Sequence, residues 1–342
     1  MQAGARVAGY ELTRPLGAGA FGAVWEARHP DTGEALAVKS LLPYAAASRD
    51  VVRRFRREAA LLRRVRSGSV ARIVDFVVDE SLGMLLLMEL VPGESLKAVL
   101  SRSTLSVEEA IELGVSILAG VADVHRVGIV HRDIKPSNIM LRPRPDGSHQ
   151  AVLLDFGLAR ARPGGADASL SRITESQATL GTVHYMAPEQ ILNAHSATER
   201  SDLYAVGAIL HFAVCGRHPF GDVEAAAARR KLSEDPGPLL LERDDARARG
   251  LEVVILRAMR RRPMDRFASA QDFMAALEAL RRDERTVVLR VGSSPELTQG
   301  STRMSGRKKR EALRFWLEVV GFFVLCAVVL VALAAVLPEA CK

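Results

Sequence analysis

His131-Arg132-Asp133-Ile134-Lys135-Pro136-Ser137-Asn138, running directly into the apolar Ile139-Met140-Leu141, gathers a carboxylate, two cations and an amide into one short segment. Asp133 can take up a proton or orient a hydroxyl, Lys135 can neutralise a phosphoryl oxygen, and Asn138 offers a neutral oxygen to magnesium. No structural role needs all of these together. A little further on, Val152-Leu153-Leu154-Asp155-Phe156-Gly157 puts a carboxylate at the end of an apolar strand, where a hard cation could be held beside phosphates.

Working back toward the N-terminus, Gly17-Ala18-Gly19-Ala20-Phe21-Gly22-Ala23-Val24 reads as a glycine-rich turn between two strands. Glycines there let backbone N–H groups approach phosphate oxygens unobstructed, although an ordinary hairpin reads the same way. Ala37-Val38-Lys39 then places a lysine inside a strand-like run, where an unpaired ammonium is costly to desolvate. Glu58 is the expected partner. It stands among Arg53, Arg54, Arg56, Arg57, Arg63 and Arg64, and its apolar neighbours Ala59, Leu61 and Leu62 suggest an inward face. A Lys39–Glu58 ion pair would aim the ammonium at phosphate, whereas on an isolated helix Glu58 would be a solvated charge.

Residues from about 10 to 91 alternate short β-branched runs with glycines, interrupted by one arginine-rich helix over about 50–65. From about 92 to 280 helical periodicity dominates, clearest over 106–127, 202–215 and 269–280. A small β-rich lobe and a larger helical lobe are expected, an α+β arrangement hinged at Pro92-Gly93. The segment 222–250 is charged and alanine-rich; it reads as a solvated helix and loop that could equally touch substrates. His125, His195, His211 and His218 show no metal-ligand spacing.

These motifs, in this order, resemble the eukaryotic-like (Hanks-type) serine/threonine protein kinases of bacteria. Gly181-Thr182-Val183-His184-Tyr185-Met186-Ala187-Pro188-Glu189-Gln190, Ser201-Asp202-Leu203-Tyr204-Ala205-Val206-Gly207 and Asp265-Arg266-Phe267 extend the resemblance over about residues 10 to 280. What it implies is a two-lobed kinase fold that binds ATP and magnesium, with manganese as an alternative ion. Gly17, Gly19 and Gly22 would cover the nucleotide, with Leu16, Ala18, Ala20 and Phe21 in the same turn. Lys39 would hold the phosphates and pair with Glu58, Asp133 would be the catalytic base, and Lys135 would steady the transferred group. Asn138 and Asp155 would bind the metal. Val24, Ala37 and Leu141 would sandwich adenine, with the backbone of Glu89 and Val91 as its hydrogen-bonding edge and Met88 at the back; plain core explains these positions nearly as well. Lys135 and Thr182 match the pattern for serine and threonine acceptors. Arg132 beside the base implies ordering by a phosphate on the loop from Asp155 to Glu189, with Thr174, Ser176 and Thr179 as candidates and Thr182 as a substrate-site hydroxyl. Asp202 and the Glu189–Arg266 pair look like internal scaffold.

The formal net charge is +7, and residues 281–314 alone carry ten basic against four acidic residues, a surplus of six. That stretch reads as a basic juxtamembrane linker, because residues 319–337 contain no charge and no proline. As a helix they would span about 28 Å at about 1.5 Å per residue, close to the hydrocarbon thickness of a bilayer. Arg307-Lys308-Lys309-Arg310, Arg314 and Trp316 supply the basic and aromatic flank of a cytoplasmic face, so a transmembrane helix over 317–337 is expected, with a short distal tail at 338–342. The expected location is the cytoplasmic membrane, single-pass, with the catalytic lobes in the cytoplasm and lipid contacts through the helix. A homodimer through that helix stays open, without a glycine-spaced motif to support it. Nucleic acid is not expected, since the basic tail lacks interleaved aromatics. With three scattered cysteines and no apolar N-terminal run, a reduced cytosolic main domain is expected. Protein substrates are the implied partners. The competing reading is a pseudokinase scaffold, disfavoured because Gly17, Lys39, Asp133, Asn138 and Asp155 are all in place.

Overall fold

Nine strands and eight α-helices follow among the described residues of a computed structural model, which describes residues 1–19, 22–41, 49–79, 82–155, 181–239 and 245–282. Ala20 and Phe21, Thr174, Ser176 and Thr179, the linker beyond 282, the apolar stretch 317–337 and the tail 338–342 lie outside them. Among the described residues no helix is long and apolar enough to cross a membrane.

The N-terminal lobe is an antiparallel sheet in the order β1-β2-β3-β4-β6-β5, formed by β1 (Arg6–Val7), β2 (Tyr10–Gly19), β3 (Gly22–Arg28), β4 (Ala35–Leu41), β5 (Ile73–Asp79) and β6 (Gly83–Glu89). Strand residues alternate between faces, and directly paired residues share a face. Val24 pairs with Lys39, Lys39 with Leu86, and Ala37 with Met88, so all five side chains project to one side. The other side takes Leu12, Ala27, Leu36, Val38, Leu85 and Leu87 into a separate core. Helix α1 (Arg49–Leu62) covers the Lys39 side. Its Phe55, Ala59 and Leu62 recur at helical spacing and are buried there with Met84, Leu86 and Met88. The helix ends at Leu62, short of the expected 65, and Arg63 to Val65 close it with turn hydrogen bonds.

The glycine turn follows its register. Gly17 pairs with Val24, Ala18 with Ala23 and Gly19 with Gly22. Gly22 has a φ of 127°, and a Cβ there would fall 1.8 Å from the Ser40 carbonyl oxygen, so no other residue fits. At Gly17 an added Cβ would meet nothing within 4 Å, so packing does not demand glycine there. The hinge behaves similarly: Gly93 has a φ of 112°, and a Cβ would lie 2.0 Å from the Leu141 carbonyl oxygen.

In the C-terminal lobe a three-stranded sheet, β7 (Glu94–Ser95), β8 (Ile139–Pro143) and β9 (His149–Leu153), lies under the hinge. Helices α2 (Leu96–Leu100), α3 (Val107–Arg126), α4 (Pro188–Leu192), α5 (Glu199–Cys215), α6 (Glu224–Ser233), α7 (Ala246–Ala258) and α8 (Ala270–Arg282) complete it. Ser106 caps α3 and Glu109 returns a hydrogen bond to its backbone, the reciprocal arrangement that Ser106 and Glu109 at this spacing favour. Helix α5 is the axis of the lobe: every residue from Ser201 to Leu210 is buried, and a left-handed Gly216 ends it. Helix α6 corrects the expectation of a solvated segment. Ala227, Ala228 and Lys231 are buried along one side, because that side packs on residues 183–186.

Candidate functional site

The catalytic-loop candidates are held by groups remote in sequence. Asp202, 1% exposed on α5, accepts the His131 N–H on Oδ2 at 2.8 Å and the Arg132 N–H on Oδ1 at 2.9 Å. The ring of His125, at the end of α3, contacts Oδ2 at 2.8 Å. Charge-assisted hydrogen bonds of this kind contribute about 1.5–3 kcal/mol each. They fix Arg132 at a φ of 65°, and Gln190 of α4 adds a hydrogen bond to the Arg132 carbonyl at 3.1 Å. Asp155 is also left-handed, at a φ of 48°. Sparsely populated backbone of this kind persists where the surroundings over-determine it, often at a functional site.

His131 joins the two segments. Its Nε2 meets the Leu154 carbonyl at 2.9 Å, and its Nδ1 lies 3.4 Å from the Asp133 N–H. The donor is therefore Nε2–H and the ring is neutral. Burial lowers its pKa, outweighing Asp202 and Asp133, which act to raise it. Neither His125 nor His131 was assigned a role by sequence, because both act through contacts that only the folded chain brings together.

Asp133, Lys135, Asn138 and Thr182 lie within contact of one another. Lys135 Nζ sits 3.1 Å from Asp133 Oδ2 and donates to Thr182 Oγ1 at 3.2 Å. Asn138 Nδ2 donates to the Asp133 carbonyl at 2.9 Å and to Asp133 Oδ2 at 3.1 Å, which leaves its Oδ1 as the free-facing amide oxygen apart from a long contact with Ser137 Oγ. The Leu154 N–H donates to the Asn138 carbonyl at 2.8 Å, tying this turn to the segment that carries Asp155.

Lys39 meets Asp155 rather than the expected partner. Nζ lies 3.0 Å from Asp155 Oδ1, close enough for a Coulombic contact but without hydrogen-bond geometry. The Lys39–Glu58 pair is not among the ion pairs of the described residues. Glu58 flanks the buried stripe of α1, half-buried, on the helix that covers the Lys39 face of the sheet. Sequence gave Lys39 its face; which carboxylate comes within Coulombic range depends on how β9 delivers Asp155.

Of the adenine-pocket candidates, Val24, Ala37 and Met88 share one apolar cluster. Val91 is buried in a neighbouring one with Val152, beside Met140 and Leu154. Leu141, half-buried, pairs with Glu94 just after the hinge. Leu16 is exposed, as are Gly17 and Ala18. Glu89, expected to offer its backbone at the adenine edge, donates its N–H to the Arg72 carbonyl at 2.9 Å. Its carboxylate joins Arg142 at 2.5 Å and the Arg72 N–H at 3.2 Å.

A divalent cation fits this donor set. Asn138 and Asp155 present hard oxygens, and Asp155 Oδ1 is buried without a hydrogen bond. Among the described residues no cluster of three or more His, Cys, Asp or Glu could hold a metal. An ion held by these two residues would complete its shell with phosphate oxygens and water.

The fold and site together define a two-lobed α+β protein whose cleft gathers cations and oxygen ligands suited to phosphate groups. The chain belongs to the protein kinase domain family, which matches it over residues 10–286. Serine/threonine-protein kinase pkn3 of Myxococcus xanthus is 33% identical over 296 residues, 86% of this chain and 53% of that protein. Serine/threonine-protein kinase PknA of Mycobacterium tuberculosis is 34% identical over 284 residues, 81% of this chain and 63% of that protein. The chain thus spans about half to two thirds of the length of these curated relatives. Among solved structures, the PknI kinase domain of Mycobacterium tuberculosis is similar at 25% identity and a TM-score of 0.62, covering 82% of this chain and 99% of that domain.

Proposed function

We propose that this chain is a bacterial serine/threonine protein kinase that transfers the γ-phosphoryl group of ATP to protein hydroxyls. The observation that carries the reading is the contact chain Asn138–Asp133–Lys135–Thr182, with Lys39 and Asp155 paired in the same site. Asp133 receives the hydroxyl proton as the acceptor oxygen bonds to phosphorus and the bond to the ADP oxygen breaks. Lys135, between Asp133 and Thr182, neutralises charge on the group in flight, and Lys39 orients the phosphates. Magnesium, held by Asn138 and Asp155, would supply charge neutralisation to the phosphate oxygens. Phosphoryl transfer draws most of its acceleration from such positioning and charge compensation.

The loop from Asp155 to Glu189 is part of the proposal as a site of autophosphorylation, with Thr174, Ser176 and Thr179 as its acceptors and Arg132 as the cation that reads the phosphate. So is attachment to the cytoplasmic face of a membrane through 317–337, supported by the absence of charge over 319–337 and the basic flank before it. Incubating the full chain with radiolabelled ATP and magnesium should label both the chain and added protein acceptors. Lys39→Met and Asp133→Asn should each abolish incorporation, and labelling that persists in either variant would overturn the assignment of those residues. If the wild-type chain transfers nothing while remaining folded, the scaffold reading takes its place.

A further inference from the structure

Helix α6 meets the segment 181–186 through groups of both signs. In its first turn Glu224 accepts the Gly181 N–H on a carboxylate oxygen. Near its other end Lys231 Nζ donates to the carbonyls of Val183 at 2.8 Å, His184 at 2.6 Å and Met186 at 2.9 Å. Residues seven apart share a helix face. Between them Ala227 and Ala228 are buried, and Ala228 packs in one cluster with Val183 and Ile191.

Lys231 is 1% exposed, and burial by itself holds its pKa well below the usual lysine range, with no neighbouring carboxylate among the causes. Three carbonyl acceptors nevertheless require three N–H donors, which only the ammonium has. The ring faces of Tyr204 and Phe220, 5.2 Å and 5.9 Å away, add favourable quadrupole contacts. An apolar side chain would fill the same volume without the penalty of desolvating a cation. What the ammonium adds is a fixed direction for three carbonyls of one short segment. That segment begins where Thr182 accepts from Lys135, which itself contacts Asp133.

Resting on the kinase reading, we propose that Glu224 and Lys231 are positioning residues that clamp residues 181–186 as the wall along which an acceptor segment lies. They set acceptor affinity without touching the nucleotide.

The test uses the full chain with Lys231→Met, Lys231→Arg and Glu224→Ala, a serine-containing acceptor peptide phosphorylated by the wild type, and backbone hydrogen exchange over 181–186. Lys231→Met should raise the KM for peptide about tenfold or more, a change of about 1.4 kcal/mol, and leave the KM for ATP within about twofold. The Tyr185 and Met186 amides, which donate to the Thr182 and Val183 carbonyls, should exchange about tenfold faster. Lys231→Arg should not restore the wild-type values, because a planar guanidinium does not converge on three carbonyls as an ammonium does. Glu224→Ala should give the same pattern at about threefold, and it decides the matter if Lys231→Met does not fold. An unchanged peptide KM together with unchanged exchange, or equal rises in both KM values, would overturn the clamp. Should the wild type phosphorylate no acceptor, the kinase reading falls, while the exchange measurement still decides whether α6 holds the segment.

Discussion

Two ion pairs, one in the cleft and one deep in the helical lobe, are built to opposite standards. Arg266 forks onto Glu189 at 2.7 Å and 2.8 Å, and its remaining N–H groups donate to the carbonyls of Arg260, Arg200 and Arg261. Ser201 Oγ donates to the same carboxylate at 2.7 Å. Burial acts to raise the pKa of Glu189, but the hydrogen bonds and charge of Arg266 overcome it and hold the carboxyl below its usual value. Every donor of that guanidinium is used, so the pair has nothing left to offer a newcomer. Lys39 and Asp155 make one contact at 3.0 Å, off hydrogen-bond geometry, with side chains 13% and 23% exposed. A pair joined this loosely can re-partner with phosphate and metal. The saturated pair holds the scaffold, and the loose one is the pair that the proposed phosphoryl transfer would engage.

Exchanging the two losses should break this contrast if it is wrong. Asp155→Asn should slow phosphoryl transfer by about 10²–10³-fold or more while the urea midpoint hardly moves. Arg266→Met strands a buried carboxylate and should cost about 3–5 kcal/mol of stability, read from urea titration, while molecules that remain folded keep the wild-type KM for ATP. A large stability loss from Asp155→Asn, or none from Arg266→Met, would erase the distinction.

Acid titration sharpens the contrast at intermediate size. His211 and His218 both have pKa values pushed down to about 4, chiefly by burial, from an ordinary 6.5. The unfolded chain therefore binds protons that the folded chain refuses. The stability they contribute is complete above pH 6.5 and is lost as pH falls toward about 4. Glu189 works on a lower window: its folded pKa lies below 4.5, so its contribution goes only as pH falls through that depressed value. The urea midpoint should decline in two stages. His218→Phe, in a ring stacked between His184 at 3.9 Å and Phe212 at 4.5 Å, should flatten the first stage and leave the second.

The smallest effect belongs to a third pair. Arg102 and Glu94 are bidentate at 2.9 Å and 2.8 Å, with side chains 58% and 57% exposed. Good geometry in water contributes little, because solvent screens the charges and both side chains lose freedom. Arg102→Ala should leave the urea midpoint unchanged within error; a clear drop would mean that burial is not what separates the scaffold pair from the rest.

Much of this was written locally. The glycine turn, Lys39 within its strand, Ser106 and Glu109 at the start of α3, and the turn around Pro136 each follow from a few adjacent residues. Those features need only backbone preference and strand alternation. The partners were harder to read. Lys39 meets Asp155 at 3.0 Å, across the gap between two lobes' worth of sequence, and nothing near either residue says so. His125 and His131, without a metal-ligand pattern, serve Asp202 and Leu154. Lys231, one cation in an arginine-rich stretch, looks solvated until α6 is laid on the 183–186 carbonyls.

Sequence alone settled which chemical groups are present, and on which strand face or turn each stands, because short-range geometry fixes those. Which charges face each other, which are sealed from water and which stay able to change partners was decided only when distant segments packed together. Coulombic strength and desolvation depend on separation in space and on surrounding solvent, and neither is a property of position along the chain.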